Sequence, residues 1–313
     1  MLLKSADDKS KRLALLEDLQ NSPHLDFQQK KWLREELYRC KKGIQGERES
    51  AHYLDSYFKD GENHVLLHDL RFVVDGDVAQ IDHLILNRVG HMFLVETKNY
   101  SGDLFVNDHG EFTVQYEQDT FGIPSPYEQS RRHEWILAKV LERVGITGRI
   151  DKQPVFHHVV MMHPKAVIKR PDAKAFDTSF LIKADQFPTW HSKFAEKIGA
   201  GTLVKALFNV RGSDTILEWG EKLKRQHRAA DLLALPDFMQ PKAKAVAAKP
   251  IPTTPAPQAT PALPESAESA APAKKLICAH CGTKITFPEG KFCWNNSKRF
   301  NGLQYCREHQ SLF

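Results

Sequence analysis

The chain has 313 residues, 41% of them hydrophobic and 27% charged, with a net charge of +5. That size and balance fit a full-sized soluble domain with appendages, and the lack of any 18-residue apolar run argues against a membrane span. The mild positive charge permits a phosphate-bearing partner without demanding one, and the opening MLLKSADDKSKR lacks the apolar stretch of a secretory signal, so a cytoplasmic protein is expected.

Residues 10–42 carry apolar side chains at helical spacing, which predicts two short helices broken near Asn21-Ser22-Pro23. They are expected to form an N-terminal helical extension over 1–42. GIQGERESAHYLDSYF then opens a new helix after two glycines, with Ala51, Leu54 and Phe58 on one apolar face. From 64 to 118 the period changes to two. HVLLHDLRFVV, VAQIDHLILN, HMFLVETKN and EFTVQYEQ read as successive strands separated by Asp-Gly, Val-Gly and His-Gly turns.

A helix follows at SPYEQSRRHEWILAKVLERVG, then a strand at PVFHHVVMMHP, then two helices at ADQFPTWHSKFAEKIG and GSDTILEWGEKLKRQHRAADLL. This order predicts an α/β fold, a mixed sheet flanked by helices, spanning 43–238. Residues 239–273 are rich in proline and alanine and offer little to bury, so a linker is expected there. It leads to a small module at 274–313.

In a strand, Glu96 and Lys98 share one face while Thr97 takes the other. Asp82, in the preceding strand, falls near the same rung as Glu96 if the two strands form a hairpin. Two carboxylates held together raise each other's pKa unless a cation neutralises them. Oxygen ligands favour Mg²⁺ or Mn²⁺. A lysine beside such a metal can orient or deprotonate a water, so the triad suits metal-assisted hydrolysis of a phosphodiester.

The four motifs GERES, QIDHLIL, FLVETKNYSGDL and SPYEQSRRHEWIL, in that order, resemble the nuclease-related domain family, NERD, over roughly residues 43–165. That family is similar to the PD-(D/E)xK endonuclease superfamily, so the resemblance implies a restriction-endonuclease-like sheet and a Mg²⁺-dependent nuclease. Carried over, Asp82 and Glu96 match the metal-binding acids and Lys98 the signature lysine. Glu47 matches the acid on the first helix and Gln129 a recurrent glutamine; beside the two acids, the Thr97 carbonyl is expected as a third metal ligand. Tyr100 and Gly102 fit the turn after the lysine, whereas Ile81 stands where the superfamily has proline. DNA is the expected partner, with RNA as the alternative; a non-catalytic DNA-processing accessory protein is the rival function.

Four of the five cysteines fall in the C-terminal module. Cys278-x2-Cys281 followed by Cys306-x2-His309 is zinc-ligand spacing, and such clustering fits a local metal site better than a disulfide framework. Cys293 is a fifth candidate and could replace His309. Lys291, Lys298, Arg299 and Arg307, interleaved with Phe292, Trp294, Phe300 and Tyr305, would suit stacking on single strands.

Overall fold

The computed structural model describes residues 1–117, 119–147, 154–197, 210–240, 276–281, 283–300 and 303–312. The chain divides into two compact units, Met1–Ala245 and Val246–Phe313. The proline- and alanine-rich stretch from residue 241 lies outside the described residues, as do Gly282 and the side chains of Trp294 and Lys298.

The first unit is built on a six-stranded mixed sheet in the order β1-β2-β3-β4-β8-β10. Its strands are β1 (Leu2–Lys4), β2 (His64–Val74), β3 (Asp77–Asn87), β4 (His91–Lys98), β8 (Val155–Met162) and β10 (Leu181–Lys183). β2, β3 and β4 form an antiparallel meander, and β4, β8 and β10 run parallel. The β2–β3 turn is the Asp-Gly pair read from the sequence. Asp75 and Gly76 have φ of 54° and 89°, the left-handed pair that a two-residue type I′ hairpin requires.

Neighbouring residues such as Leu66 and Leu67, Leu84 and Ile85, or Phe93 and Leu94 point to opposite faces, yet all are buried. Helices cover both faces, so these strands read as apolar runs. On one face Leu67, Leu84 and Leu94 pack against α3 (Pro126–Arg143) through Leu137 and against α5 (Ser213–Gln226) through Trp219. On the other, Leu66, Ile85, Phe93 and Val95 pack against α2 (Phe27–Phe58) through Leu54 and against a helix over 187–197, α4, through Phe187. Each such side chain, fully buried, contributes about 1.5–3 kcal/mol.

EFTVQYEQ does not extend this sheet. Its strand β6 (Phe112–Gln115) lies in a second, four-stranded sheet with β5 (Asp103–Val106), β7 (Thr120–Ile123) and β9 (Ile168–Lys169), in the order β7-β6-β5-β9. Leu104, Phe112 and Val114 cluster with Val160 and Met162 of β8.

The N-terminal residues behave differently from the expectation. The break near Pro23 is present, between α1 (Ser10–Gln20) and α2, and a capping box of Asp26 and Gln29 starts α2. The break at Gly43 and Gly46 is absent, and α2 runs on to Phe58. A helical glycine costs about 1 kcal/mol relative to alanine, but Gly46 lies where a Cβ would come within 2.6 Å of the Asn99 Cβ. It lets α2 approach the end of β4. Ahead of these helices, β1 pairs in parallel with β2, Leu2 opposite Leu66, so the segment contributes a strand to the main sheet. Among the described residues, no helix is long and apolar enough to cross a membrane.

Candidate active site and zinc cluster

The regular ladder fails on both sides of Asp82. Between β2 and β3 the pairs His68↔His83 and Leu70↔Ile81 form, but the rung where Asp69 faces Asp82 is skipped. Asp69 there has a φ of 51°, a left-handed conformation that costs a non-glycine residue on the order of 1 kcal/mol. Between β3 and β4 the last pair is His83↔Val95, one rung short of Asp82 and Glu96. The Asp82 side chain takes over where the ladder stops, its Oδ2 accepting the Thr97 N–H at 2.8 Å.

Glu96 and Lys98 emerge from β4 towards the N-terminal turn of α3. That turn is fixed by Ser125, whose hydroxyl accepts from the Glu128 N–H, and by Pro126 in the first turn. It brings Gln129 onto the pair. Lys98 Nζ donates to Glu96 Oε1 at 2.8 Å and to Gln129 Oε1 at 2.9 Å, while Gln129 Nε2 donates to Glu96 Oε1 at 2.7 Å. Glu96 is 4% exposed.

Burial is the main force on all three ionisable groups. It pushes Asp82 well above the usual carboxylate range, helped by the nearby charges of Glu96 and Glu47 against the Thr97 N–H and Lys98. Glu96 is raised by burial too, although Lys98 opposes the shift. For Lys98 burial acts downward, yet Glu96 outweighs it and the pKa rises, so the ammonium persists at neutral pH. His133, with Nδ1 3.9 Å from Glu96 Oε2, is lowered to about 4 by burial, Arg132 and Lys98. A neutral imidazole does not neutralise the acids.

A divalent cation fits this donor set. Asp82 Oδ2 is committed to the Thr97 N–H, and Glu96 Oε1 to Lys98 and Gln129. Among the described residues, the second oxygen of each acid accepts no hydrogen bond. The buried Glu96 and the half-buried Asp82, each with one oxygen to spare, form a hard-oxygen site short of positive charge.

The metal-free protein should carry that shortage as a pH-dependent instability. Between the ordinary carboxylate pKa near 4 and the raised folded values, the folded state holds more protons than the unfolded. Stability therefore falls as pH rises through that window. Thermal melts in EDTA should show Asp82→Asn gaining on the wild type as pH goes from 4 to 7, with the gap closing when Mg²⁺ stabilises the wild type. Parallel wild-type and variant curves would disprove this.

Glu47 sits on α2 beside the pair, but its Oε2 is held by Lys9 at 2.7 Å, and Lys9 also lies 3.4 Å from Asp69 Oδ2. These groups line a cavity of about 440 Å³ together with Asp55, His68 and Asp82. Neither Lys9 nor Asp69 carries a sequence signal: Lys9 lies in the N-terminal extension, and the left-handed φ and side-chain contacts of Asp69 exist only in the folded chain. Of the basic stretch after Gln129, Arg131 pairs with Glu128 of the same helix. The histidines near β8 are engaged as well: His157 meets His91 at 2.9 Å, His158 links Ser130 and Glu134, each at 2.8 Å, and His163 contacts Glu49 at 3.0 Å.

Residues 42–162 match the nuclease-related domain family. The chain carries a NERD domain. No curated protein and no solved structure matches it. The NERD domain covers α2 from its middle onward, the three-strand meander, α3 and β8, and with them Glu47, Asp82, Glu96, Lys98 and Gln129. It gives the chain a nuclease-related character, with nucleic acid as the implied substrate. β1 and Lys9 fall outside it.

In the second unit, Cys278, Cys281, Cys306 and His309 bring their ligand atoms within 4.8 Å of one another. Cys281 Sγ and Cys306 Sγ are 3.9 Å apart, and His309 Nδ1 is 3.1 Å from Cys306 Sγ and 3.7 Å from Cys278 Sγ. Such edges suit a tetrahedral ion with ligand bonds of about 2.0–2.3 Å, so this Cys₃His cluster fits zinc. Although burial works against it, backbone N–H groups of Cys306, Cys281 and His280 draw the Cys278 thiol down to about 6, towards the thiolate a metal needs. Cys293 stands apart, fully buried, its sulfur accepting from the Tyr305 N–H at 3.3 Å. Phe300 and Tyr305 are buried with it, so they fill this small core. Phe292 stays exposed.

Proposed function

We propose that the protein is a metal-dependent nuclease that hydrolyses phosphodiester bonds in DNA. The observation that supports this most is the convergence of Asp82, Glu96 and Lys98 where the β3–β4 ladder opens, with one oxygen of each acid uncommitted. Asp82, Glu96 and the Thr97 carbonyl would hold Mg²⁺ or Mn²⁺. When bound, the cation supplies charge neutralisation for the phosphate and lowers the pKa of an attacking water.

The protein's own groups divide the remaining work. The protonated Lys98 has three N–H donors, two of them fixed by Glu96 and Gln129; the third serves the attacking water or a phosphate oxygen. Its raised pKa makes it a positioning cation and a poor base. Gln129 bridges Lys98 and Glu96 and holds the lysine against the carboxylate. Glu47, freed from Lys9, completes the acid set. The C-terminal unit, zinc-bound and tethered through 239–273, raises the local concentration of the nuclease on nucleic acid.

Full-length protein with Mg²⁺ or Mn²⁺ should nick or cleave DNA. EDTA should stop the reaction, and Asp82→Asn should remove it. Equal cleavage by wild type and Asp82→Asn would overturn the assignment. DNA binding without metal-dependent cleavage on single-stranded, duplex and branched substrates would instead favour an accessory, non-catalytic role.

A further inference from the structure

A line of hydrogen-bonded polar groups crosses the α2-facing side of the sheet. Asp55 on α2 has its Oδ1 3.1 Å from His68 Nε2; His68 Nδ1 lies 2.7 Å from His83 Nδ1; His83 Nε2 lies 3.1 Å from Thr97 Oγ1. The two rings meet at 90° on the rung His68↔His83, and Thr97 sits diagonally on β4. His68 and His83 are 2% and 1% exposed. An apolar pair on that rung would satisfy the core without burying four ring nitrogens, each of which is costly unless bonded. The chain instead ends on the residue between Glu96 and Lys98.

Chemistry fixes the direction of every bond. A carboxylate oxygen only accepts, so His68 carries its proton on Nε2. Both rings are buried, which disfavours the charged imidazolium, and burial lowers the His68 pKa although Asp55 opposes the shift. A neutral His68 then accepts at Nδ1, so His83 must donate from Nδ1 and accept at Nε2. The Thr97 hydroxyl is left with one option: it donates to His83. Thr97 is thereby held twice, since its N–H donates to Asp82 Oδ2. A β-branched side chain has few χ1 choices, so fixing its oxygen also fixes the peptide that holds Asp82.

We propose that Asp55, His68 and His83 act as a positioning relay that locks Thr97, and through its amide orients the Asp82 carboxylate for the cation. This rests on the assignment of Asp82 and Glu96 as a metal site, and two measurements separate the claims. Long-range proton–nitrogen correlation on ¹⁵N-labelled full-length protein should show His83 protonated at Nδ1, His68 at Nε2, and a nitrogen–nitrogen coupling between the two Nδ1 atoms. A proton on His83 Nε2 overturns the relay, whatever the activity.

Mn²⁺ titration calorimetry supplies the functional arm. Thr97→Val keeps the volume and loses the hydroxyl, whereas Thr97→Ser keeps it. Outer hydrogen bonds to metal ligands are typically worth 10- to 100-fold in affinity. Thr97→Val should therefore weaken Mn²⁺ binding about tenfold or more, and Thr97→Ser should stay close to wild type. A purely structural role would change the melting temperature and leave Mn²⁺ affinity alone. Equal Mn²⁺ affinity in Thr97→Val and wild type overturns the inference and leaves the metal site standing. A wild-type protein that binds no Mn²⁺ overturns the metal site and the inference with it.

Discussion

Lys98→Ala is expected to reduce single-turnover cleavage of DNA by about 10²- to 10³-fold at saturating Mg²⁺, the range seen when one preorganised donor is removed from an active site. The loss should appear in the chemical step and not in DNA binding. Lys98 is held by Glu96 and Gln129 at 2.8 and 2.9 Å, so on the proposed mechanism it would reach the reacting atoms already oriented and give up little mobility there. Lys98→Arg should not rescue the rate, because a planar guanidinium cannot occupy a point position between a carboxylate and an amide oxygen. Metal affinity should survive the alanine change, since the uncommitted oxygens of Asp82 and Glu96 remain. Rate and affinity measured on one preparation decide the matter: an unchanged rate would remove Lys98 from the mechanism, and lost Mn²⁺ binding would make it a structural residue.

The second large effect concerns zinc. Among the described residues, the C-terminal unit's core gathers Cys278, Ile285, Cys293, Phe300 and Tyr305 with Leu276 and Cys306 at its margin, and a module of about 40 residues generally needs a metal to fold. Structural zinc in such modules contributes about 10–16 kcal/mol of apparent binding energy at pH 7. Cys306→Ser, or prolonged chelation, should therefore collapse the dispersed NMR signals of 276–312 while those of the main sheet persist on its own core. Elemental analysis should find one zinc per wild-type chain and none in the variant. Cys293→Ser should keep its zinc, because that sulfur is bonded to the Tyr305 backbone and stands outside the cluster. Zinc loss in Cys293→Ser equal to that in Cys306→Ser would reassign the ligands.

The meander was legible in the sequence because the Asp75-Gly76 and Val89-Gly90 turns punctuate runs of Leu, Ile and Val, and the order of four motifs carried the rest of the domain. The same motifs single out Asp82, Glu96, Lys98 and Gln129 as candidates, and the structure places the four side chains near one another. Three things were hidden, each for a physical reason. Gly46 looks like punctuation in one dimension and is a point of close approach in three. Lys9 reaches Glu47 across 38 positions of chain, and no local pattern announces such a contact. His68 and His83 each look like an ordinary polar residue in an apolar run; their meaning lies in a rung, which exists only once β2 and β3 are paired. Sheet membership was equally out of reach, since nothing local in the short strands β5 and β6 says that they join β7 and β9 in a second sheet and not the main one.

The place of β1 bears on how the molecule could be cut. A fragment beginning at residue 42, where the family match starts, would shed β1, the strand that pairs with one flank of β2 among the described residues; β2 is an eleven-residue strand reading HVLLHDLRFVV. It would offer a row of open main-chain donors and acceptors next to Leu, Phe and Val, the template on which chains recruit one another into aggregates. Three residues at the front of the chain thus act as a seal, and the minimal folding unit is longer than the minimal homologous one.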